Sequence, residues 1–378
     1  MKITVKTKEI LPIMEVINEF YKLYKDIINH NYNVFFRVYS NNDNKFIMVV
    51  NNLDIKIKFE LPIEEEIKID KIYHILEFYG IIKCMSVYEE MVLDFEKNYI
   101  KFNTDAEFLL KQVDIDDKEK NEIFSLKELS TSENKEEINI NESLLDEFKI
   151  IKKIIDLKNQ HFPNYYFYKD ESMIFNLFDI YVKKDNTLIN INSDVVGFKF
   201  LTYLLDKKIS ENIIHFDVND KFILKSDKYY VEGKKYKFDN NEKQNFIIKF
   251  FNEEFNNSRE IKIKLEFYNF INVILNMEKN SCVVFDNGTV RIQSADEELD
   301  ASFKTDFEGF FIVKTSILSK IFNFMMSTFS NNFNEFKLVF GESNNGKWLK
   351  IELPNVTLLT EIIGDLNDIE NDDDVFEE

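Results

Sequence analysis

Short runs in which apolar and polar residues alternate are interleaved along the chain with single stretches of helical period, and the alternation repeats about six times. Ile3 to Lys6 alternates as a strand does, and Ile10, Ile13, Met14, Ile17, Tyr21 and Tyr24 behind it recur on one helix face. Val34 to Tyr39, Lys45 to Val50 and Asp54 to Leu61 alternate again between Asn/Asp turns. The unit is strand, helix, three strands. A second unit is expected to open with a strand at Glu66 to Ile69. Its helix carries Ile72, Ile75, Leu76 and Tyr79 and stops at Gly80, and strands follow at Met85 to Tyr88, Met91 to Phe95, Tyr99 to Asn103 and Glu107 to Val113.

From Asp114 to Asn139 the residues turn polar and charged, which predicts a linker flanking a short strand near Ile123 to Leu126. The pattern restarts at Ile138 to Ile140 with Asn141 as helix N-cap and Leu144, Leu145, Phe148, Ile151 and Ile155 as a buried stripe. Strands are predicted at Tyr165 to Tyr168, Met173 to Phe178 and Ile180 to Lys183. Thr187 to Ile191 then leads into a helix with Phe198, Leu201, Leu204 and Leu205 that ends near Lys208. Ile213 to Val218, Lys221 to Leu224, Tyr229 to Glu232 and Lys235 to Phe238 close that copy. The third opens with strands at Phe246 to Phe251 and Arg259 to Lys262 and a helix through Leu265, Tyr268, Ile271 and Leu275. Val283 to Phe285 and Thr289 to Gln293 flank Asp286-Asn287-Gly288, a hairpin signal because Asn-Gly accepts the positive φ of a type I′ turn. Ala301 to Lys304, Phe310 to Lys314, a helix with Ile317, Leu318, Ile321, Phe322 and Met325, and a last hairpin of Phe336 to Phe340 and Trp348 to Leu353 around Asn345-Gly346 complete the series. The expectation is an α+β chain of three domains, residues 1–117, 118–240 with the linker, and 241–364, followed by an acidic tail at 365–378.

Composition narrows this. The 378 residues are 44% hydrophobic, enough for a core in each domain, and only 8 Gly and 4 Pro leave little for glycine-rich phosphate cradles. Cys84 and Cys282 cannot build a disulfide framework and no signal peptide precedes Lys2 and Lys6, so a bacterial or phage-infected cytoplasm is expected. No stretch approaches the ~18 apolar residues of a membrane span. Arginine occurs only at 37, 259 and 291 beside heavy Lys, Asn, Ile and Phe usage, which reads as AT-biased coding.

Enzyme chemistry finds little to work with. His30, His74, His161 and His215 have no Cys or Glu at ligand spacing, Gly233-Lys234 and Gly346-Lys347 lack the rest of a Walker sequence, and Gly-x-Ser-x-Gly is absent. The acidic clusters Glu64 to Glu66, Asp114 to Asp117, Asp296 to Glu298 and Asp372 to Asp374 are expected to be solvated turns. Mg²⁺ binding in a nucleic-acid enzyme is the competing reading, and a phage structural or interaction protein with repeated α+β domains is a third. No cofactor is implied.

Six strand-helix-strand units in three equal domains resemble the bacterial DNA polymerase sliding clamp, the β subunit. The opening Met1-Lys2-Ile3-Thr4-Val5-Lys6, the segment Asn52-Leu53-Asp54-Ile55-Lys56-Ile57, the run from Val290 through Ala295, Asp296, Glu297, Glu298, Leu299 and Asp300 to Gly309–Lys314, and Leu353-Pro354 each resemble the corresponding clamp segment. There are departures. The chain adds Leu358 to Glu378, and Phe178-Asp179-Ile180-Tyr181-Val182 keeps only the Asp of the family's Thr-Asp-Gly-His-Arg signature.

The resemblance implies a homodimeric ring with helices inside and sheets outside. Such a ring encircles double-stranded DNA without reading sequence, tethers the replicative polymerase, is loaded by a clamp-loader ATPase, and catalyses nothing itself. The lysines expected to face DNA are Lys22, Lys25, Lys71, Lys149, Lys152, Lys153, Lys199, Lys207, Lys208, Lys264, Lys279 and Lys320. The dimer interface would set Phe108, Leu109 and Leu110 against Ile274 and Leu275 of a second copy. A pocket for partner peptides would use Asp179, Tyr181, Val182, Leu353, Pro354 and Val356. The formal charge of −20 fits because the acids fall in turns, linkers and tail while lysines mark helix faces. A negative exterior then disfavours side-on DNA contact.

Overall fold

The computed structural model describes residues 1–24, 34–41, 43–52, 54–66, 68–96, 99–103, 107–126, 128–129, 135–157, 165–169, 171–177, 179–188, 190–191, 193, 195–235, 241–252, 256–262, 269–270, 281–294, 302–304, 309–329, 337–343 and 346–362. In chain order its elements are β1 (Lys2–Lys6), α1 (Thr7–Tyr24), β2 (Phe35–Ser40), β3 (Lys45–Asn51), β4 (Ile55–Pro62), β5 (Asp70–His74), α2 (Ile75–Cys84), β6 (Glu90–Phe95), β7 (Tyr99–Asn103), β8 (Glu107–Lys111) and α3 (Asp117–Phe124). Then come β9 (Lys135–Asn139), α4 (Glu142–Asp156), β10 (Tyr165–Lys169), β11 (Ser172–Asn176), β12 (Ile180–Lys184), α5 (Val195–Asp206), β13 (Asn212–Val218), β14 (Lys221–Lys225), β15 (Tyr229–Lys234) and α6 (Asn241–Asn252). The rest are β16 (Asn256–Lys262), β17 (Ser281–Asp286), β18 (Thr289–Ser294), β19 (Ser302–Lys304), β20 (Phe310–Lys314), α7 (Thr315–Phe329), β21 (Lys337–Ser343), β22 (Gly346–Leu353) and β23 (Val356–Ile362).

One topological rule recurs. A strand that runs into a helix does not join the meander that follows it but crosses to the neighbouring meander. Thus β1 pairs with β6 and β5 with β2, β9 pairs with β13, and β20 pairs with β17, all antiparallel; β16 pairs with β21, also antiparallel. Two such sheets then fuse edge to edge. The β4–β15 pairing makes the eight-stranded sheet β5-β2-β3-β4-β15-β14-β13-β9, and the β12–β23 pairing makes the seven-stranded sheet β10-β11-β12-β23-β22-β21-β16. Two four-stranded sheets, β1-β6-β7-β8 and β19-β18-β17-β20, stay separate.

The chain divides into two compact units, Met1–Phe148 with Ile191–Tyr236 and Lys149–Asn190 with Lys237–Glu378, and the division falls inside α4. In the first, α1 buries Ile10, Ile13, Met14, Val16, Ile17, Phe20 and Tyr24, and Phe20 meets Phe200 of α5 edge-on at 5.4 Å between ring centres. Phe78 of α2 stands between Phe36 and Phe102 at 4.9 and 5.3 Å, so one aromatic side chain ties two sheets. A Cβ at Gly233 of β15 would fall 2.0 Å from the Phe222 ring, and only glycine fits there. In the second unit, Phe340 sits 4.7 Å from Phe285 and 4.9 Å from Phe311, again joining two sheets. Asn287 and Gly288 take φ of 28° and 84°, the positive pair that the β17–β18 turn requires.

Several expectations are corrected. The strand placed at 66–69 lies at Asp70–His74, so Ile72 belongs to β5, and α2 runs through Gly80 to Cys84. Gly80 remains helical because the buried apolar positions Ile75, Phe78 and Ile82 hold the helix down on both sides of it. The strand expected at Met85 to Tyr88 is instead a 3₁₀ turn, Met85–Val87, closing that helix, with Tyr88 extended after it. The strand near Ile123 is α3, nucleated by Asp116, whose carboxylate accepts from the Lys118 and Glu119 amides at 2.9 Å each. Phe246 to Phe251 is helical because Ile247 and Phe251, four residues apart, reach one apolar patch. Among the described residues of the stretch expected to lead into α5, Thr187, Leu188, Asn190 and Ile191 lie outside any strand. Leu353-Pro354 ends β22 at a turn rather than ending the sheet, and β23 continues it.

Candidate functional site

The seven-stranded sheet carries an apolar patch under α6. Ile174 of β11, Leu359 of β23 and Trp348 of β22 pack with Ile247 and Phe251 of the helix, with Tyr181, Ile248 and Val339 half-buried around them. The register explains the grouping. Tyr181 lies opposite Leu359, Leu359 opposite Lys350 and Lys350 opposite Val339, and directly paired residues share a face. Tyr181 and Trp348 lie 6.2 Å apart between ring centres.

Of the residues expected in a peptide pocket, Tyr181 lies in this patch. Val182 is fully buried on the opposite face of β12, and Asp179 offers its carbonyl oxygen to the Thr360 hydroxyl at 2.8 Å. Leu353, Pro354 and Val356 sit together at the β22–β23 turn, where the Asp185 amide donates to the Asn355 carbonyl oxygen at 2.9 Å. Val356 lies three residues, roughly 10 Å, along β23 from Leu359, so the structure forms two groups rather than one. Ile174, Ile247, Ile248, Phe251, Trp348 and Leu359 were not foreseen. Their signal is weak in sequence, since only the i, i+4 spacing of Ile247 and Phe251 marks a helix face.

The lysines fall into three groups. Lys22 stands exposed on α1, 3.5 Å from Glu19, and α1 packs against α5, which carries Lys199 and leads into Lys207. Lys207 lies 2.5 Å from Glu15 of α1 and over the Tyr203 ring at 5.0 Å. Burial works against its charge, but the hydrogen bonds to Glu15 and Tyr203 outweigh it and raise its pKa. On α4, Lys149 and Lys152 are exposed and Lys153 donates to the Ser327 carbonyl of α7, the helix that also carries Lys320. The remainder sit elsewhere. Lys71 is on β5 rather than a helix, bonded to Gln112 at 2.7 Å and the Glu96 carbonyl at 3.1 Å, and burial lowers its pKa. Lys208, at φ 50°, lines a cavity of about 560 Å³ with Ser210, Lys225, Asp227 and Lys228. Lys25, Lys264 and Lys279 lie outside the described residues.

On β8, the last strand of its four-stranded sheet, Leu110 is buried, Phe108 half-buried and Leu109 61% exposed. Ile274 and Leu275 lie outside the described residues, as do Asp296–Glu298, Asp372–Asp374 and the tail. Among the remaining acidic clusters, Asp116 caps α3, Asp117 pairs with Lys120 at 2.6 Å, and Glu65 accepts from the Thr4 amide at 3.3 Å. Among the described residues no group of three His, Cys, Asp or Glu side chains could hold a metal ion, and no helix is long and apolar enough to cross a membrane. Cys84 is exposed, whereas burial pushes the Cys282 thiol up to about 11.

Strand-exchanged α+β units fused edge to edge into long antiparallel sheets define a DNA-clamp fold. No family model and no curated sequence matches the chain. Solved structures do. The DNA polymerase III beta subunit of Thermotoga maritima superposes with a TM-score of 0.74 at 11% identity, over 96% of this chain and 99% of that one. The Borrelia burgdorferi beta subunit, solved with a natural product, gives 0.69 at 13% identity over 96% and 99%. The Helicobacter pylori beta clamp bound to a DNA ligase peptide gives 0.66 at 13% identity over 96% and 100%. The chain therefore has the fold of the bacterial DNA polymerase III beta subunit.

Proposed function

We propose that the chain is a DNA sliding clamp, a homodimeric ring of three domains per protomer (1–117, 118–240, 241–364) that encircles duplex DNA and tethers a polymerase. The observation that carries this reading is end-to-end likeness, 96% of this chain against 99% of the Thermotoga maritima beta subunit. Lys22, Lys199 and Lys207, and separately Lys149, Lys152, Lys153 and Lys320, would meet phosphates without reading sequence. Binding would then be weak and salt-sensitive, and retention would come from closure of the ring. Strand β8, with Leu109 exposed, supports closure by pairing with a second copy. The Tyr181–Trp348 patch is the place where a polymerase or loader peptide would dock, in line with the ligase peptide on the Helicobacter pylori protein. Of the described acidic clusters, Asp116 caps α3, Asp117 pairs with Lys120 and Glu65 accepts from the Thr4 amide, local structural roles in line with a chain that acts by encirclement.

The test loads the protein on nicked circular DNA with its loader and then linearises the circle. A clamp runs off the ends, and retention after cutting refutes encirclement. Mass in solution is the cheaper check: a dimer of the 45.2 kDa chain is expected, and a monomer at micromolar concentration counts against the ring.

A further inference from the structure

The eight-stranded sheet shows a row of paired residues running through Glu137, Ile214, Lys225, Tyr230, Lys58, Val49, Arg37 and Ile72 on one face. Lys58 belongs to β4 and Tyr230 to β15, so the fusion seam between the two halves of the sheet passes between them. The polypeptide after α3 crosses this row. The Glu128 carboxylate takes Lys58 on one side of the seam with Oε1, and Lys225 of β14 on the other with Oε2 at 2.7 Å. The Leu129 amide donates to the Tyr230 hydroxyl at 3.1 Å, and Leu126 and Leu129 cover Phe216, Ile223 and Tyr230. Lys58 also bonds Glu60 at 2.6 Å, which Lys45 holds at 2.5 Å, so the charges form one chain from β3 to β14.

The sheet does not need this crossing for its own hydrogen bonds. Five β4–β15 residue pairs close the seam through backbone alone. Among the described residues the crossing segment holds to the sheet through the Glu128 carboxylate, the Leu129 amide and the side chains of Leu126 and Leu129, none of which belongs to the ladder. Glu128 is also partly solvated, with 34% of its side chain exposed, so salt can compete for it.

We infer that the segment around Glu128 is a releasable ionic strap across the β4–β15 seam, whose withdrawal bares an apolar strip of Phe216, Ile223 and Tyr230. When closed, it ties the two halves of the sheet together and stiffens the seam. When open, it leaves a hinge held by the ladder only. The inference concerns the free chain and stands apart from DNA encirclement.

Amide hydrogen exchange on the full-length protein tests it. Raising salt from low to about 0.5 M should speed exchange at Leu129 roughly tenfold while the amides of β4 and β15 stay protected. Glu128→Gln should produce the same acceleration at low salt and no further response to salt. Lys225→Met, which removes one partly exposed arm, should act in the same direction and serves if the first variant folds poorly. Exchange at Leu129 that ignores salt, or seam amides that accelerate with it, would overturn the proposal, the second outcome because Glu128 would then be a fixed part of the sheet.

Discussion

Both fused sheets are crossed by a helix-bearing stretch of the chain, and the two crossings use opposite chemistry. Over the eight-stranded sheet, α3 lays Phe124 and Ile123 on Ile47, Val49 and Ile72, but the edges of that contact are ionic. Arg37 clasps Asp70 through Nε at 2.7 Å and through Nη2 at 3.0 Å, Lys120 of α3 reaches the same carboxylate at 2.9 Å, and Glu128 bridges Lys58 and Lys225. Over the seven-stranded sheet, α6 meets the patch of Ile174, Trp348 and Leu359 through Ile247 and Phe251. The difference separates two jobs. Paired charges fix one relative position and respond to salt and acid, whereas a buried apolar patch holds its helix by packing, which neither salt nor acid titrates.

Because Trp348 is the only tryptophan, its fluorescence reports the second unit alone, while hydrogen exchange in β4 and β15 reports the first. The largest expected effect is on the apolar side. Trp348→Ala should cost about 3–5 kcal/mol of stability in the second unit, read by urea titration with exchange at β22 and β23. A cost under about 1 kcal/mol would mean the patch is loosely packed. Gly233→Ala, which drives a methyl into Phe222, should cost roughly 1–3 kcal/mol in the first unit. It would show that the sheet beside the ionic seam is also closely packed, at Gly233 against Phe222.

Acid should divide the two units next. Burial alone would raise Asp70, Glu60 and Glu128, but hydrogen bonds from Arg37 and Lys120, from Lys45 and Lys58, and from Lys225 and Lys58 outweigh it and hold all three below the ordinary carboxylate range. Groups depressed in this way stabilise the fold fully above an unfolded pKa of about 4, and the contribution is lost as pH falls through the lower folded values. Exchange in the first unit should therefore accelerate below about pH 4 ahead of the Trp348 signal. The second unit has a depressed carboxylate too, Asp185, where burial is outweighed by Ser172 and Lys183, so simultaneous loss would erase the contrast. The smallest effect is Arg37→Met. Because Lys120 still partners Asp70, about 1 kcal/mol is expected from thermal melts followed by exchange at β2.

Much of the fold was legible because a strand on a half-buried sheet and a helix on a core each write their period into the sequence. The helix at Thr7–Tyr24, the capped helix after Asn141 and the Asn287-Gly288 turn stand where alternation and spacing put them. The failures share a cause. Residues 246–251 are dense in Phe and Ile and favour a strand locally, and only the patch beneath makes them helical. In α3, polar residues outnumber the buried Phe124, so its period is faint and the cap at Asp116 is the better signal. The patch around Tyr181 and Trp348 was illegible for a different reason: β11–β12 and β22–β23 are local hairpins, but the β12–β23 pairing that brings the two hairpins together joins residues about 175 positions apart, which no local window contains.

The fused sheet also sets a schedule for synthesis. Strand β4 is complete at Pro62, yet its partner β15 begins only at Tyr229, so on a growing chain its free edge waits on the order of ten seconds or more. An unpaired strand of alternating apolar residues is a template for pairing with the wrong chain. Lys56 and Lys58 alternate with Ile55, Ile57 and Phe59 along that edge and keep a charged rim on it through the wait. The lysine that ends beneath Glu128 in the finished protein is thus, earlier, a guard against aggregation on the ribosome.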